Sequence, residues 1–472
     1  MKVEVFNNNA IYYALLYFFI VIIGSYFLIV YLYPSISNDT GYYLKIAYDL
    51  AHGLSFFKEL NCSYSPLVMY IFSIPFYFND EVGLIFLFTY YFMVFPFIGA
   101  LFFQILKYFN SDNKICLFFT VLLITANFVF EGFHILLEPY VLLFQLMTIW
   151  LVLTWKLKKS TLFLAGVFAF LAFYAKQYGL FIMPALVFWL YREAKNIRLF
   201  TSSLSFFVLG FFVPILILMS YFYVYENVAI KFFLLRLFGV SAIKGTEIVT
   251  GIDYSVIGAF KKVGQFIIDF PFFILIVFLF FGVKTKSISQ SSKFVLLLLI
   301  GAFCTLYFAY YSHYFQLIIP YIIITIVIFY KSFLEKNSII IFFFSIIFLV
   351  GASLKLKNKF LEKKEHYNEQ LANVPVLESN VANKNVYLHG MSPAYYFLSK
   401  YNSPNYGVLG YKFPIELTLN KICTEISEGD CILIEPKFFK PAIFDSYITK
   451  KEFTVMDGVK QKRILLLEKK KH

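Results

Sequence analysis

Pro66-Leu67-Val68-Met69-Tyr70-Ile71-Phe72-Ser73-Ile74-Pro75-Phe76-Tyr77-Phe78 is apolar, but it is short and Pro75 interrupts it. A helix rises about 1.5 Å per residue, so crossing a hydrocarbon core of about 30 Å takes about 20 apolar residues. Counted as a span, this stretch inverts every later helix. Counted as re-entrant or interfacial, it places Lys107 and Lys114, then Lys156, Lys158 and Lys159, then Arg192, Lys195 and Arg198, then Lys284, Lys286 and Lys293, then Lys331 and Lys336 in inner loops. Cytoplasmic loops carry the excess of Lys and Arg. The short turns left on the outer side fit that rule, since residues 131–138 and 310–314 carry no Lys or Arg and 175–179 carries only Lys176. The stretch is therefore read as re-entrant or interfacial, with the N-terminus cytoplasmic.

Working outward from it, the chain of 472 residues is 60% hydrophobic and 15% charged, which is the composition of a polytopic helical membrane protein. The run 11–33 exceeds a signal-peptide core and is followed by no small-residue cleavage site, so it reads as a retained anchor. Further spans are expected near 82–106, 115–131, 138–155, 161–175, 177–191, 199–224, 270–283, 294–310, 315–330 and 338–354, giving about eleven crossings. The expected fold is an all-α polytopic membrane domain, 1–354, with outer loops 35–81 and 225–269, then a linker, 355–384, and a small soluble mixed α/β domain, 385–472, on the outer side.

In that last domain, Asn385–His389 and Cys431–Glu435 read as strands and Pro393–Tyr401 and Pro414–Ile426 as helices. Phe453–Leu467 reads as a hairpin turned at Asp457-Gly458. The linker Lys355–Gln370 reads as helix. No internal repeat stands out.

The formal charge of +13 raises the question of nucleic acid, but positive-inside loops and contact with anionic lipid account for it, and no nucleic-acid partner is expected. The cysteines, at 62, 116, 304, 423 and 431, have no metal-ligand spacing. Cys423 and Cys431 flank Glu428-Gly429-Asp430. An oxidising compartment would permit them to pair, yet a helix-to-strand turn does not guarantee the Cα approach a disulfide requires.

The polar residues at the outer ends of spans are the candidates for chemistry. Asp39, in Ser37-Asn38-Asp39-Thr40-Gly41-Tyr42-Tyr43, is either the N-cap of a helix starting near Gly41 or a functional carboxylate. Tyr42, Ile46 and Leu50 recur at helical spacing behind it, as in a helix at the membrane interface. Glu138, followed by Pro139, suits the positive end of a span whether as a cap or as a ligand group. Lys176 and Gln177 lie in a tight outer turn. A lysine there runs against the inside bias, so it either snorkels or pairs with Glu138, Asp39 or a substrate phosphate. His313 and Tyr314 form another outer turn, with Pro320 in the span that follows. The loop 225–269 adds Lys231, Arg236, Lys244, Lys261 and Lys262, suited to a phosphate or to lipid headgroups. Asn38-Asp39-Thr40 and Asn61-Cys62-Ser63 are also glycosylation tripeptides on this side.

Taken in order, these motifs resemble the polytopic GT-C-fold glycosyltransferases, in particular the protein-mannosyltransferase and aminoarabinose-transferase-like superfamily. The residues that carry the resemblance are Asn38-Asp39-Thr40-Gly41-Tyr42-Tyr43, Ser65-Pro66-Leu67, Glu138-Pro139, Ala175 to Gly179, and His313-Tyr314 with Pro320, over about 10–350. The resemblance implies transfer of a sugar from a polyprenyl-phosphate carrier to a glycan, lipid or protein acceptor on the outer face of a bacterial inner membrane. It implies inversion at the anomeric carbon with Asp39 as general base, Lys176 and Arg236 stabilising the departing phosphate, and Glu138 orienting the acceptor or Lys176. Gln177, His313 and Tyr314 complete the expected substrate-binding set. Many relatives carry a second carboxylate beside the first. Here the neighbours are Asn38 and Thr40, so no metal is expected to be required, since hard cations favour several oxygen ligands. A flippase or transporter, or a polymerase of lipid-linked glycans, is the alternative. A transporter should show repeated halves or charges near the midplane, and a polymerase should show Arg-rich outer loops.

Overall fold

The structure is a computed structural model. It describes residues 36–57, 60, 66–78, 80–110, 112–132, 134–155, 157–237, 264, 289–308, 312–330, 338–381, 385–389, 391–392, 394–399, 401, 430–439, 443–457 and 460–470. The expected spans 11–33 and 270–283, the helix Pro414–Ile426 and Cys423 lie outside the described residues.

α1 (Asn38–Ala51) opens on Ser37, whose Oγ accepts the Thr40 N–H at 3.2 Å. The cap is therefore Ser37, and the helix starts three residues earlier than the sequence indicated. Asp39 lies in its first turn, where a carboxylate favours the positive end of the helix. α2 (Pro66–Ser73) runs into a 3-10 turn, Ile74–Tyr77, entered through Pro75. α3 (Asp80–Phe109) and α4 (Asn113–Asn127) follow, the latter capped by Asp112, which accepts from the Lys114 and Ile115 amides.

α5 (Glu138–Thr154) and α6 (Lys159–Ala175) lead into a second 3-10 turn, Gln177–Ile182, and then α7 (Met183–Glu193). The remaining helices are α8 (Ile197–Tyr225), α9 (Ile230–Leu237), α10 (Gln290–Phe308), α11 (Phe315–Phe329), α12 (Ser338–Asn380) and α13 (Ala394–Leu398). Among the described residues, Phe86–Phe109, Asn113–Gly132 and Ile197–Tyr225 are helical stretches long and apolar enough to cross a membrane. Pro66–Tyr77, Glu138–Thr154, Lys159–Ala175, Gln290–Thr305 and Phe315–Phe329 are shorter apolar helices.

The chain forms two compact units. One contains Thr89–Tyr221 and the described residues of Asp253–Lys357; the other contains the described residues up to Phe88, those of Phe222–Ile252, and those from Asn358 onward. In the first unit the helices pack through rings and through small residues. A Cβ on Gly179, for example, would overlap the main chain of Ala172, so glycine lets the 3-10 turn lie directly on α6.

In the second unit a four-stranded sheet has the order β1 (Val386–His389), β2 (Cys431–Ile434), β4 (Lys460–Lys469), β3 (Tyr447–Asp457). β1 and β2 are parallel, whereas β4 is antiparallel to both β2 and β3, with a bulge between Thr449 and Lys451. Alternation along the strands sends side chains to two cores. Val386, Leu388, Leu433, Ile464 and Leu466 join Leu377 of α12 and Tyr395 and Tyr396 of α13 on one face. Tyr387, Ile432, Ile434, Leu465 and Leu467 join Phe444 and Tyr447 on the other. The small mixed sheet read from the sequence is present, and the helical linker proves to be part of one continuous helix, α12.

Candidate functional site

The first unit gathers charge where apolar helices end. Glu138 is the first residue of α5, preceded by Leu137 and followed by Pro139, whose missing N–H costs nothing in a first turn. Its side chain has no solvent exposure, and its Oε1 lies 2.5 Å from the Lys176 Nζ. Lys176 ends α6 in extended geometry (φ −161°, ψ 139°), which breaks the helix and directs the following chain into the 3-10 turn. Its ammonium lies 4.4 Å from the ring centroid of Tyr314 and 5.6 Å from that of Tyr178. A cation held between a buried carboxylate and two aromatic faces is fixed in position.

His313 joins them from the 3-10 turn Ser312–Tyr314. Its Nε2 is 3.7 Å from Glu138 Oε1, and its Nδ1 is 3.2 Å from Glu131 Oε2. Glu131 reaches this place through a left-handed backbone (φ 69°, ψ 14°) in the wide turn Phe128–Gly132 that ends α4. A non-glycine residue in that region is uncommon, and such strain concentrates at functional sites. Among the described residues, Glu138 Oε2 is buried and has no side-chain hydrogen-bond partner, which leaves room for a hydroxyl brought by a ligand.

Below the charges, buried amides tie the turns together. Gln145 of α5 donates to the Gly179 carbonyl at 3.3 Å and accepts from the Tyr321 hydroxyl at 2.9 Å. Gln316 of α11 donates to the Phe130 carbonyl at 2.5 Å. The turns bearing Glu131, Lys176 and His313 are thus each anchored to neighbouring helices, as a preorganised site requires.

Of the residues expected from sequence, the structure brings together Glu138, Lys176, His313 and Tyr314. Gln177 is half-buried beside Lys176 as the first residue of the 3-10 turn. Asp39 and Arg236 belong to the second unit, Arg236 as a position on α9. Asp39 is exposed, whereas Thr40 to Ala47 behind it are all buried. α1 is therefore a buried helix that presents a carboxylate at its first turn, with its internal charges, Lys45 and Asp49, paired at 2.5 Å. Among the described residues, no group of three or more His, Cys, Asp or Glu is disposed to hold a metal ion.

The reading from sequence missed Glu131, Gln145, Gln316 and Tyr321. The two glutamines carried a usable signal, since an amide inside an apolar span needs a partner. Glu131, at the edge of a turn, carries no such signal.

A helical body of apolar segments with a small mixed sheet after the last long helix fits a membrane protein. The crystal structure of ArnT from Cupriavidus metallidurans bound to undecaprenyl phosphate matches with a TM-score of 0.53 at 10% sequence identity, over 96% of this chain and 97% of that one. The apo-state crystal structure of the same ArnT gives a TM-score of 0.44 at 10% identity over the same shares. At this identity the likeness is one of fold. No family model and no curated protein matches the sequence.

Proposed function

We propose that the protein is a membrane glycosyltransferase that moves a sugar from a polyprenyl-phosphate carrier to an acceptor on the outer face of the membrane, with inversion. The observation that carries this reading is the fixed cation. Lys176 is held 2.5 Å from buried Glu138 and over the Tyr314 ring, in a chain whose fold matches that of ArnT almost end to end. In the reaction the acceptor hydroxyl oxygen attacks the anomeric carbon and its proton passes to the Asp39 carboxylate. The bond from the anomeric carbon to the phosphate oxygen breaks, and polyprenyl phosphate leaves with the electron pair. Lys176, with Arg236, stabilises the charge that develops on the departing phosphate. Glu138, flanked by His313, holds Lys176 and offers the acceptor a hydrogen-bond partner, with Gln177 and Tyr314 beside it. General-base assistance from a placed carboxylate is typically worth ~10²- to 10⁴-fold.

The topology proposed with this function is about eleven crossings, with 35–81, 225–269 and the C-terminal domain outside. No metal has a required role in the scheme. The test is to supply purified protein in detergent with radiolabelled polyprenyl-phosphate sugars and a cell-envelope acceptor fraction. The proposal expects labelled acceptor together with released polyprenyl phosphate. ATP-independent movement of intact sugar lipid across vesicles, without cleavage, would favour a flippase instead.

A further inference from the structure

We infer that Gln370 is a positioning residue for Asp39, and that the segment from Asn358 to the sheet acts through it to hold the first turn of α1 in place. The catalytic part of this inference rests on the general-base reading of Asp39; the positioning itself does not.

Gln370 lies on α12 with its side chain buried, and it makes a two-point pair with the main chain of one residue. Its Oε1 accepts the Ile36 N–H at 3.1 Å, and its Nε2 donates to the Ile36 carbonyl at 2.6 Å. Ile36 is fully buried and directly precedes Ser37, the cap of α1, so the grip falls three residues ahead of Asp39. Helix ends fray unless something holds them, and here an amide from far along the chain does so.

One turn further along α12, Asn373 repeats the device on the sheet. It accepts from the Met456 amide at 2.6 Å and donates to the Met456 carbonyl at 2.8 Å, and its Nδ2 also lies 2.7 Å from the Tyr395 hydroxyl. Two amides on one helix face therefore join the edge strand β3 to the entrance of α1. A second contact lies on the same path. A Cβ on Gly41 would overlap the main chain of Ala394, so α13 packs directly on the turn after Asp39. Phe397 of α13 meets Tyr48 of α1 edge-on at 6.1 Å and Phe76 at 5.7 Å. A carboxylate that must stay within about 0.5 Å of its productive position needs such a frame, because a first turn alone does not supply it.

The test is hydrogen exchange by mass spectrometry on the full chain in detergent, wild type against Gln370→Met, with steady-state transfer measured on the same preparations. Loss of two buried hydrogen bonds should speed exchange in peptides covering 36–41 by about tenfold while the strands β1, β2 and β4 keep their protection. In the transfer assay kcat should fall about tenfold with the donor KM unchanged, the split expected when a base is misplaced and binding is kept. Unprotected exchange at Ile36 in the wild type would overturn the inference whether or not the variant folds. Unchanged exchange at 36–41 in the variant would do the same. Faster exchange with unchanged kcat, alongside an inactive Asp39→Asn protein, would overturn the positioning role and leave the general-base reading standing. Should no preparation transfer sugar, the transferase reading fails, and the exchange data still decide whether Gln370 holds the turn.

Discussion

The Nζ of Lys176 lies 2.5 Å from Oε1 of Glu138, a carboxylate with no exposure to solvent, so each charge is held in place by the other. Removing one partner strands the second in an apolar setting, at a cost of about 3–5 kcal/mol. Lys176→Met should therefore melt well below wild type in detergent, and Glu138→Gln combined with Lys176→Met should recover most of the loss without recovering transfer. Single and double variants melting together would show that the pair does not organise the site.

Tyr314 contributes a ring face to the same cation, 4.4 Å from its centroid. Tyr314→Phe keeps that face and should keep the donor KM close to that of the wild type. Tyr314→Leu should lose about 1–2 kcal/mol of the interaction and weaken binding of the donor phosphate. A titration of donor lipid against all three proteins separates them, and equal KM values for Phe and Leu would remove the ring from the account.

The left-handed backbone at Glu131 (φ 69°) makes a different prediction. Glycine adopts that conformation without a Cβ penalty, whereas alanine pays about 1 kcal/mol or more. Glu131→Gly and Glu131→Ala both lose the contact to His313 and should transfer equally poorly, yet the glycine variant should unfold at the higher denaturant concentration. The reverse order would mean that the turn relaxes to another geometry.

Outside the apolar helices, Glu435 directly follows β2 and lies between two lysines. Burial alone raises its pKa, but the hydrogen bonds and charges of Lys437 and Lys462 outweigh burial and hold it below its ordinary value of 4.5. A folded-state pKa below the unfolded one means stability that is fully present above about pH 4.5 and lost as pH falls through the folded value. Exchange protection in β2 and β4 should therefore decline in the full chain as pH is lowered below 4.5. Glu435→Gln should flatten that decline, and an identical pH profile in the variant would contradict the assignment.

Much of this architecture was legible in the sequence because it depends on local pattern. Apolar runs bounded by Lys and Arg gave the helices, and Pro75 within a short run marked α2 as too short to span. The strands at Val386 and Cys431 follow from alternation, as does the hairpin Phe453–Leu467, which the structure extends to Tyr447–Asp457 paired with Lys460–Lys469. Glu138, Lys176, His313 and Tyr314 were legible because charge is costly at the end of an apolar helix. What the sequence did not disclose depends on contacts between distant segments. Ser37 displaces Asp39 as the cap through the geometry of its own Oγ. Glu131 becomes a partner of His313 only because Phe130 and Glu131 leave helical geometry together. Gln370 and Asn373 look like ordinary polar positions on a charged helix until Ile36 and Met456 are brought to them.

The most direct test of the central claim is transfer of labelled sugar from a polyprenyl-phosphate lipid by purified wild-type protein and by Asp39→Asn. Asn keeps the size and exposure of the side chain and removes its ability to take a proton. The account predicts transfer by the wild type and a loss of ~10²-fold or more in kcat in the variant, with the donor still bound. Equal kcat in the two proteins would contradict it and remove Asp39 from the chemistry.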